Sequence, residues 1–128
     1  MTIRMTPKEL EERTFQFGVR IMKLGMRLVR TGVSFRVIDQ VVGAGTSVGA
    51  NVEESHAASS KADFVHKRSI ALRECRESVY WLRLLVAAEV IKAKVTVDLI
   101  DEGTQIARIL GKGIYTTRLS MTSPPKQS

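Results

Sequence analysis

Gly43-Ala44-Gly45-Thr46-Ser47-Val48-Gly49-Ala50-Asn51-Val52-Glu53-Glu54 is the stretch that decides how this chain folds. It is rich in small residues, yet Ile38, Val41, Val42, Val48 and Val52 recur through it at helical spacing. Glycine inside a helix costs about 1 kcal/mol relative to alanine. Gly43, Gly45 and Gly49 together need an offset, and the close approach of a second helix is the natural one. The stretch predicts a tightly packed helical bundle with a polar stripe built into one helix.

The bulk composition agrees. A chain of 128 residues with 44% hydrophobic content is long enough for one domain with a real core and too short for two. Prolines fall only at positions 7, 124 and 125, so long helices can run uninterrupted between them. No apolar run approaches the roughly 20 residues needed to span a bilayer. The first residues lack the apolar region of a signal peptide. Cys75 is the one cysteine, which excludes an intrachain disulfide and fits a reducing cytoplasm. The formal charge of +7 favours an acidic partner such as nucleic acid, although a basic protein that merely resists aggregation would look similar.

Four helices are expected, over about 7–30, 35–58, 61–91 and 97–119. Thr6-Pro7-Lys8-Glu9 is a start signal: Thr6 caps, Pro7 suits the first turn and Glu9 completes a capping box. Thr31-Gly32 ends the first helix. Ser60 with Asp63 forms a second capping pair. Asp98 and Asp101 suit the positive end of the last helix. Short connections between long helices imply antiparallel neighbours, hence an all-α, up-down four-helix bundle over residues 1–121. Residues 122–128 read as a disordered tail.

On a wheel of about 100° per residue, the first helix carries a wide apolar arc. Phe17, Ile21, Leu24 and Leu28 lie on one side of it and Phe15, Val19, Met22, Met26 and Val29 on the other, with Thr14, Gly18 and Gly25 between. Arg13, Arg20, Lys23, Arg27 and Arg30 fill the remaining face. Spaced cations of this kind can bind a phosphate backbone by displacing counterions. They can equally be a solvated face partly paired with neighbouring acids. No aromatic residue interleaves with them, so stacking on single-stranded bases is not expected, and any binding should be backbone-driven and weakly sequence-specific.

In the second helix, Gln40, Ala44, Ser47, Asn51 and Glu54 run beside the apolar face. If buried, they need partners, which Arg68, Arg73, Arg76, Glu74 or Glu77 on the third helix could supply. Ser47, Asn51, Glu54, Glu74 and Glu77 are therefore expected to form a structural polar network fixing helix or subunit register. Catalysis is not expected, because no nucleophile–base pair is visible. Glu53-x-x-His56 and Asp63-x-x-His66 echo the carboxylate–His spacing of di-iron bundles, but they flank one connection and Glu53 and His56 diverge on the wheel. No metal or other cofactor is expected. Neither histidine follows an arginine at the spacing some helical RNA-cleaving domains use, and Cys75 falls on an apolar face. Gly43-Ala44-Gly45 has neither the preceding strand nor the Gly-Lys-Ser ending of a phosphate loop. Trp81 and Tyr80 are expected as core or interface anchors.

Three segments carry a family resemblance: Thr46-Ser47-Val48-Gly49-Ala50-Asn51-Val52-Glu53-Glu54, Ser60-Lys61-Ala62-Asp63-Phe64, and Ala71-Leu72-Arg73-Glu74-Cys75-Arg76-Glu77-Ser78-Val79-Tyr80-Trp81-Leu82. The chain resembles the four-helix bundle family of proteins encoded in 23S rRNA intervening sequences. It departs mildly at Glu53-Glu54-Ser55-His56, where relatives often carry alanine, glutamate and glycine or alanine. The resemblance implies a ring-shaped homopentamer, with no established enzymatic activity and a nucleic-acid role inferred for the family from charge and genomic setting. It extends to the basic accessory bundles of diversity-generating retroelements, which associate with reverse transcriptase and nucleic acid. The expectation is a cytoplasmic, non-catalytic homo-oligomer that binds RNA or DNA backbone through the first helix and has no membrane association. The alternative is a protein-interaction scaffold without nucleic acid.

Overall fold

A computed structural model describes residues 5–122. It contains α1 (Pro7–Leu28), α2 (Phe35–His56), α3 (Lys61–Ala87) and α4 (Ala93–Thr122), with a 3-10 turn at Val29–Thr31 and no strand among the described residues. Residues 123–128 of the expected tail lie outside the described residues, and Thr122 is the last residue of α4.

The helix starts follow the capping chemistry. Thr6 Oγ1 accepts from the Glu9 N–H, and Glu9 returns a bond to the Thr6 N–H. Ser34 and Ser60 cap α2 and α3 by accepting from the N–H groups of Arg36 and Asp63. Gly32, with φ +78°, takes the left-handed conformation that closes the first turn.

The third and fourth helices differ from expectation at their shared connection. α3 stops at Ala87 rather than near residue 91, and α4 begins at Ala93 rather than near 97. The cause is Glu89, which has φ +61°. Its N–H bonds the Val86 carbonyl at 3.0 Å, and the Val90 N–H bonds the Leu85 carbonyl at 2.9 Å. This pair is a Schellman closure, with glutamate where glycine is usual. Because α4 starts early, Asp98 and Asp101 lie beyond its first turn, which carries no acid.

α1 packs on α2, α2 on α3 and α3 on α4, while α1 and α4 meet more sparsely. Gly18 faces Gly45, Gly49 faces Thr14, and Gly25 faces Val42, so α1 and α2 run antiparallel. Gly103 faces Val79 and Gly113 faces Arg68, which fixes the same relation for α3 and α4. The core comprises Phe17, Ile21 and Leu28 of α1, Val41, Val48 and Val52 of α2, Leu82 of α3, and Ile106 and Leu110 of α4, all fully buried. No helix among the described residues is long and apolar enough to cross a membrane.

Two of the three α2 glycines explain themselves. A Cβ on Gly45 would lie 2.5 Å from Ile21 Cγ1 and Cγ2, and one on Gly49 would lie 3.2 Å from the Thr14 carbonyl. A Cβ on Gly43 would meet nothing within 4 Å. Of the three α2 glycines, the seam with α1 needs Gly45 and Gly49 but not Gly43.

Candidate functional site

The wide apolar arc of α1 divides in the fold. Phe17, Ile21, Leu24 and Leu28 are buried, and Thr14, Gly18 and Gly25 form the seam against α2. Phe15, Met22, Met26 and Val29 remain outside, at 55%, 53%, 71% and 52% exposure. Phe15, Met22 and Met26 line an apolar groove with Gly18 and Val19 of α1 and Gly49 and Ala50 of α2. The seam causes this exposure: helices that meet through glycine leave their larger neighbours standing at the flank.

The basic face of α1 also divides. Arg20, Lys23, Arg27 and Arg30 are exposed and make no ion pair among the described residues. The sequence groups Arg13 with them, but its guanidinium is committed to α4. Arg13 Nε and Nη2 donate to both Glu102 oxygens at 2.8 and 2.7 Å, and Nη2 also donates to Gln105 Oε1 at 2.8 Å. The Arg13 bond holds the Glu102 carboxyl below its ordinary range despite partial burial, with a smaller push from the Arg20 charge. Arg13 is raised in turn, chiefly by its bond to Glu102.

The five residues expected as a polar network bond mainly within their own helices. Ser47 Oγ donates to the Gly43 carbonyl, Asn51 Nδ2 to the Ser47 carbonyl, and Trp81 Nε1 to Glu77 Oε1. Glu74 pairs loosely with Arg73 at 3.7 Å. Only Glu54 crosses between helices, pairing with Lys67 at 3.1 Å.

The buried polar cluster that the fold does build was not anticipated. Arg68, 7% exposed, donates from Nε to Ser55 Oγ at 3.0 Å and from Nη2 to His56 Nε2 at 2.8 Å. Its guanidinium also lies 4.6 Å from the Phe64 ring centroid. Arginine has no acceptor, so His56 Nε2 accepts, and the ring proton sits on Nδ1 facing Glu11 Oε2 at 2.6 Å. Gly113 makes room for the guanidinium, since a Cβ there would lie 2.9 Å from Arg68 Nη1. Burial alone lowers the Arg68 pKa. The cluster takes one residue from α1, two from α2 and one from α3, so no local spacing announces it. It also turns His56 inward, while Glu53 and His66 are exposed.

Cys75 is fully buried, and its thiol donates to the Gly103 carbonyl at 3.1 Å. Burial pushes that thiol up to about 12, far from a reactive thiolate.

A second basic surface lies between α3 and α4. Arg76, Arg83, Arg108 and Lys112 line one groove with Tyr80, and no carboxylate is among its lining residues. These four cations also make no ion pair among the described residues. The signal was present in the sequence: Arg76-x3-Tyr80-x2-Arg83 and Arg108-x3-Lys112-x2-Tyr115 each place three residues on one helical face. That the two faces adjoin follows only from the antiparallel packing of α3 and α4.

These features define a small, basic, all-helical bundle of four sequentially packed helices. The chain belongs to the family of 23S rRNA-intervening sequence proteins, whose family model matches residues 9–112. It is similar to a solved structure from Bacteroides thetaiotaomicron, a protein of unknown function from the S23 ribosomal protein family. The two are 36% identical, with a TM-score of 0.78, and the match covers 82% of this chain and 97% of that one. No curated protein matches the chain.

Proposed function

We propose that this protein is a non-catalytic, self-associating bundle in the cytoplasm that binds the phosphate backbone of RNA or DNA through Arg20, Lys23, Arg27 and Arg30. The observation that carries this reading is the pairing of features on the exposed side of α1. Four cations that make no ion pair among the described residues run beside an uncovered apolar strip. The cations suit a polyphosphate. The strip, bordered by the glycine seam, suits another helical surface, and a second copy of the chain supplies one. A ring of such copies, a pentamer as the family resemblance implies, would repeat the basic face around its rim. The non-catalytic part draws on the Arg68 cluster, whose polar groups satisfy one another, and on the inert Cys75 thiol.

The test combines solution mass by light scattering with the absorbance ratio of the purified protein. The expected result is an oligomer carrying nucleic acid that 1 M salt removes. Replacing Met22 and Met26 with glutamate should yield monomers. Reversing Arg20, Lys23 and Arg27 to glutamate should abolish binding of structured RNA and leave the mass unchanged. A wild-type monomer refutes the assembly. Undetectable affinity for structured RNA at low salt refutes the polyanion role. A captured partner that survives nuclease would favour the scaffold alternative, in which the basic face meets an acidic protein.

A further inference from the structure

We infer that the groove between α3 and α4 is a binding site for single-stranded nucleic acid, with Arg76, Arg83, Arg108 and Lys112 on the phosphates and Tyr80 stacking on a base. The inference rests on the proposed function for the ligand's general class, but it assigns a different site and a different strand state.

Charge is the first argument. The lining holds four cations and no acid. Of the nearby carboxylates on the same helices, Glu102 is paired with Arg13 and Glu74 loosely with Arg73, and Glu77 and Asp101 accept bonds from Trp81 and Gln105. An uncompensated positive groove attracts a polyanion. The second argument separates nucleic acid from an acidic protein. Tyr80 lines the groove and stays 56% exposed. Phe15 and Phe35 are exposed too, but Tyr80 shares its groove with four cations and no acid, and alternating cations and rings is how proteins hold unpaired bases. Tyr80 is also braced. The half-buried Trp81 ring meets it edge-on, with centroids 6.1 Å apart and planes at 74°. The third argument concerns strand state. Arg76 and Arg83 are two turns apart, about 10 Å along α3. The lysine and arginine of α4 oppose them across a groove floored by Val79, Thr104, Ala107 and Gly111. A groove between two helices admits one strand with a base turned onto the Tyr80 ring, while a duplex keeps its bases stacked inside. On α1 the exposed Phe15 belongs to the apolar groove of Met22 and Met26, which has Lys23 as its one cation, whereas Tyr80 shares its groove with four.

The probes are labelled octauridylate, a blunt duplex of equal length, and inorganic polyphosphate, measured by anisotropy or competition from 50 to 200 mM salt. Four phosphate contacts on a single strand give a logarithmic salt slope of about −2.8, hence about fifty-fold weaker binding over that range. Replacing Arg83 and Arg108 with glutamine should weaken both octamer and polyphosphate and halve the slope to about −1.4. Y80A should weaken the octamer about five- to a hundredfold and leave polyphosphate unchanged, whereas Y80F should bind as wild type. An R20Q/K23Q/R27Q variant should bind the octamer within twofold of wild type. Thermal melts of each variant establish that the fold is retained. Octamer binding lost only in the α1 variant would overturn this inference and leave the proposed function standing. No binding of any probe at 50 mM salt would end both. Y80A without effect on the octamer, or tighter binding of the duplex at this groove, would also overturn the assignment.

Discussion

Alanine substitution of the three glycines in α2 separates helix packing from helix propensity within one element. In a helix interior, glycine to alanine gains about 0.8–1.0 kcal/mol. At Gly43 the new methyl meets nothing within 4 Å, so the gain should appear nearly whole. For a domain of this size that raises the melting midpoint by about 4 °C. At Gly45 the same gain meets an obstruction. The new Cβ would lie 2.5 Å from Ile21 Cγ1 and Cγ2 and 2.7 Å from Ile21 Cβ. A rotamer change moves the first two atoms but leaves Ile21 Cβ in place, so α1 itself must shift. Overpacking of a full core costs about 1–3 kcal/mol, and a clash this close belongs at the upper end. The net expectation is a loss of about 2 kcal/mol. At Gly49 the obstruction is the Thr14 carbonyl at 3.2 Å and the Phe15 nitrogen at 3.3 Å, all backbone, and a displacement of a few tenths of an ångström relieves it. The net effect there is near zero or a loss of about 1 kcal/mol. Urea unfolding at one fixed protein concentration, with m-values compared, measures all three. If G45A proves as stable as G43A, the small-residue seam does not hold α1 against α2, and the physical reading of the opening stretch fails.

Two further predictions test other parts of the fold. Glu102→Gln should cost about 2 kcal/mol at neutral pH, because it weakens the partly buried charged pair with Arg13. A carboxyl held low in the folded state stabilises above its unfolded value of about 4.3 and loses that contribution as pH falls through the folded value, so E102Q should lose less stability than wild type on acidification below pH 5; equal acid sensitivity would refute the pairing. Glu89→Gly should gain about 1 kcal/mol, since a β-carbon is strained at φ +61°, while Glu89→Ala should gain nothing; unfolding curves that show the same effect for both would refute the strain argument.

Much of the fold was legible, and the parts that were not share a cause. Thr6 and Ser60 act through neighbours a few residues away, so local sequence carries their meaning. The α3–α4 connection was misplaced because Val86, Val90 and Ile91 continue an apolar pattern across a turn that Glu89 makes without any glycine signal. Arg13 reads as one of five cations on a wheel, and only the position of α4 shows that Glu102 claims it. The cluster of Glu11, Ser55, His56 and Arg68 is assembled from three helices. The two Arg–Tyr stripes of α3 and α4 are each visible in the sequence, yet neither is a groove until the helices lie side by side.

The uncovered surface of this bundle is a consequence of its glycines. A helix pair that meets through Gly18, Gly25, Gly45 and Gly49 brings backbones close and spends little side-chain volume at the contact. The bulky residues that would otherwise fill that space sit one step around α1, and they are Phe15, Met22 and Met26, all exposed. On the far side, α3 and α4 close around Cys75 and Gly103, again small, and Tyr80 and the long cations of those helices are left to line the outer groove. The same choice of small residues at both seams therefore leaves an apolar strip on one flank and a cationic, aromatic groove on the other. Enlarging a seam residue should disturb the adjoining flank along with stability, which ties the two outer surfaces to the core that positions them.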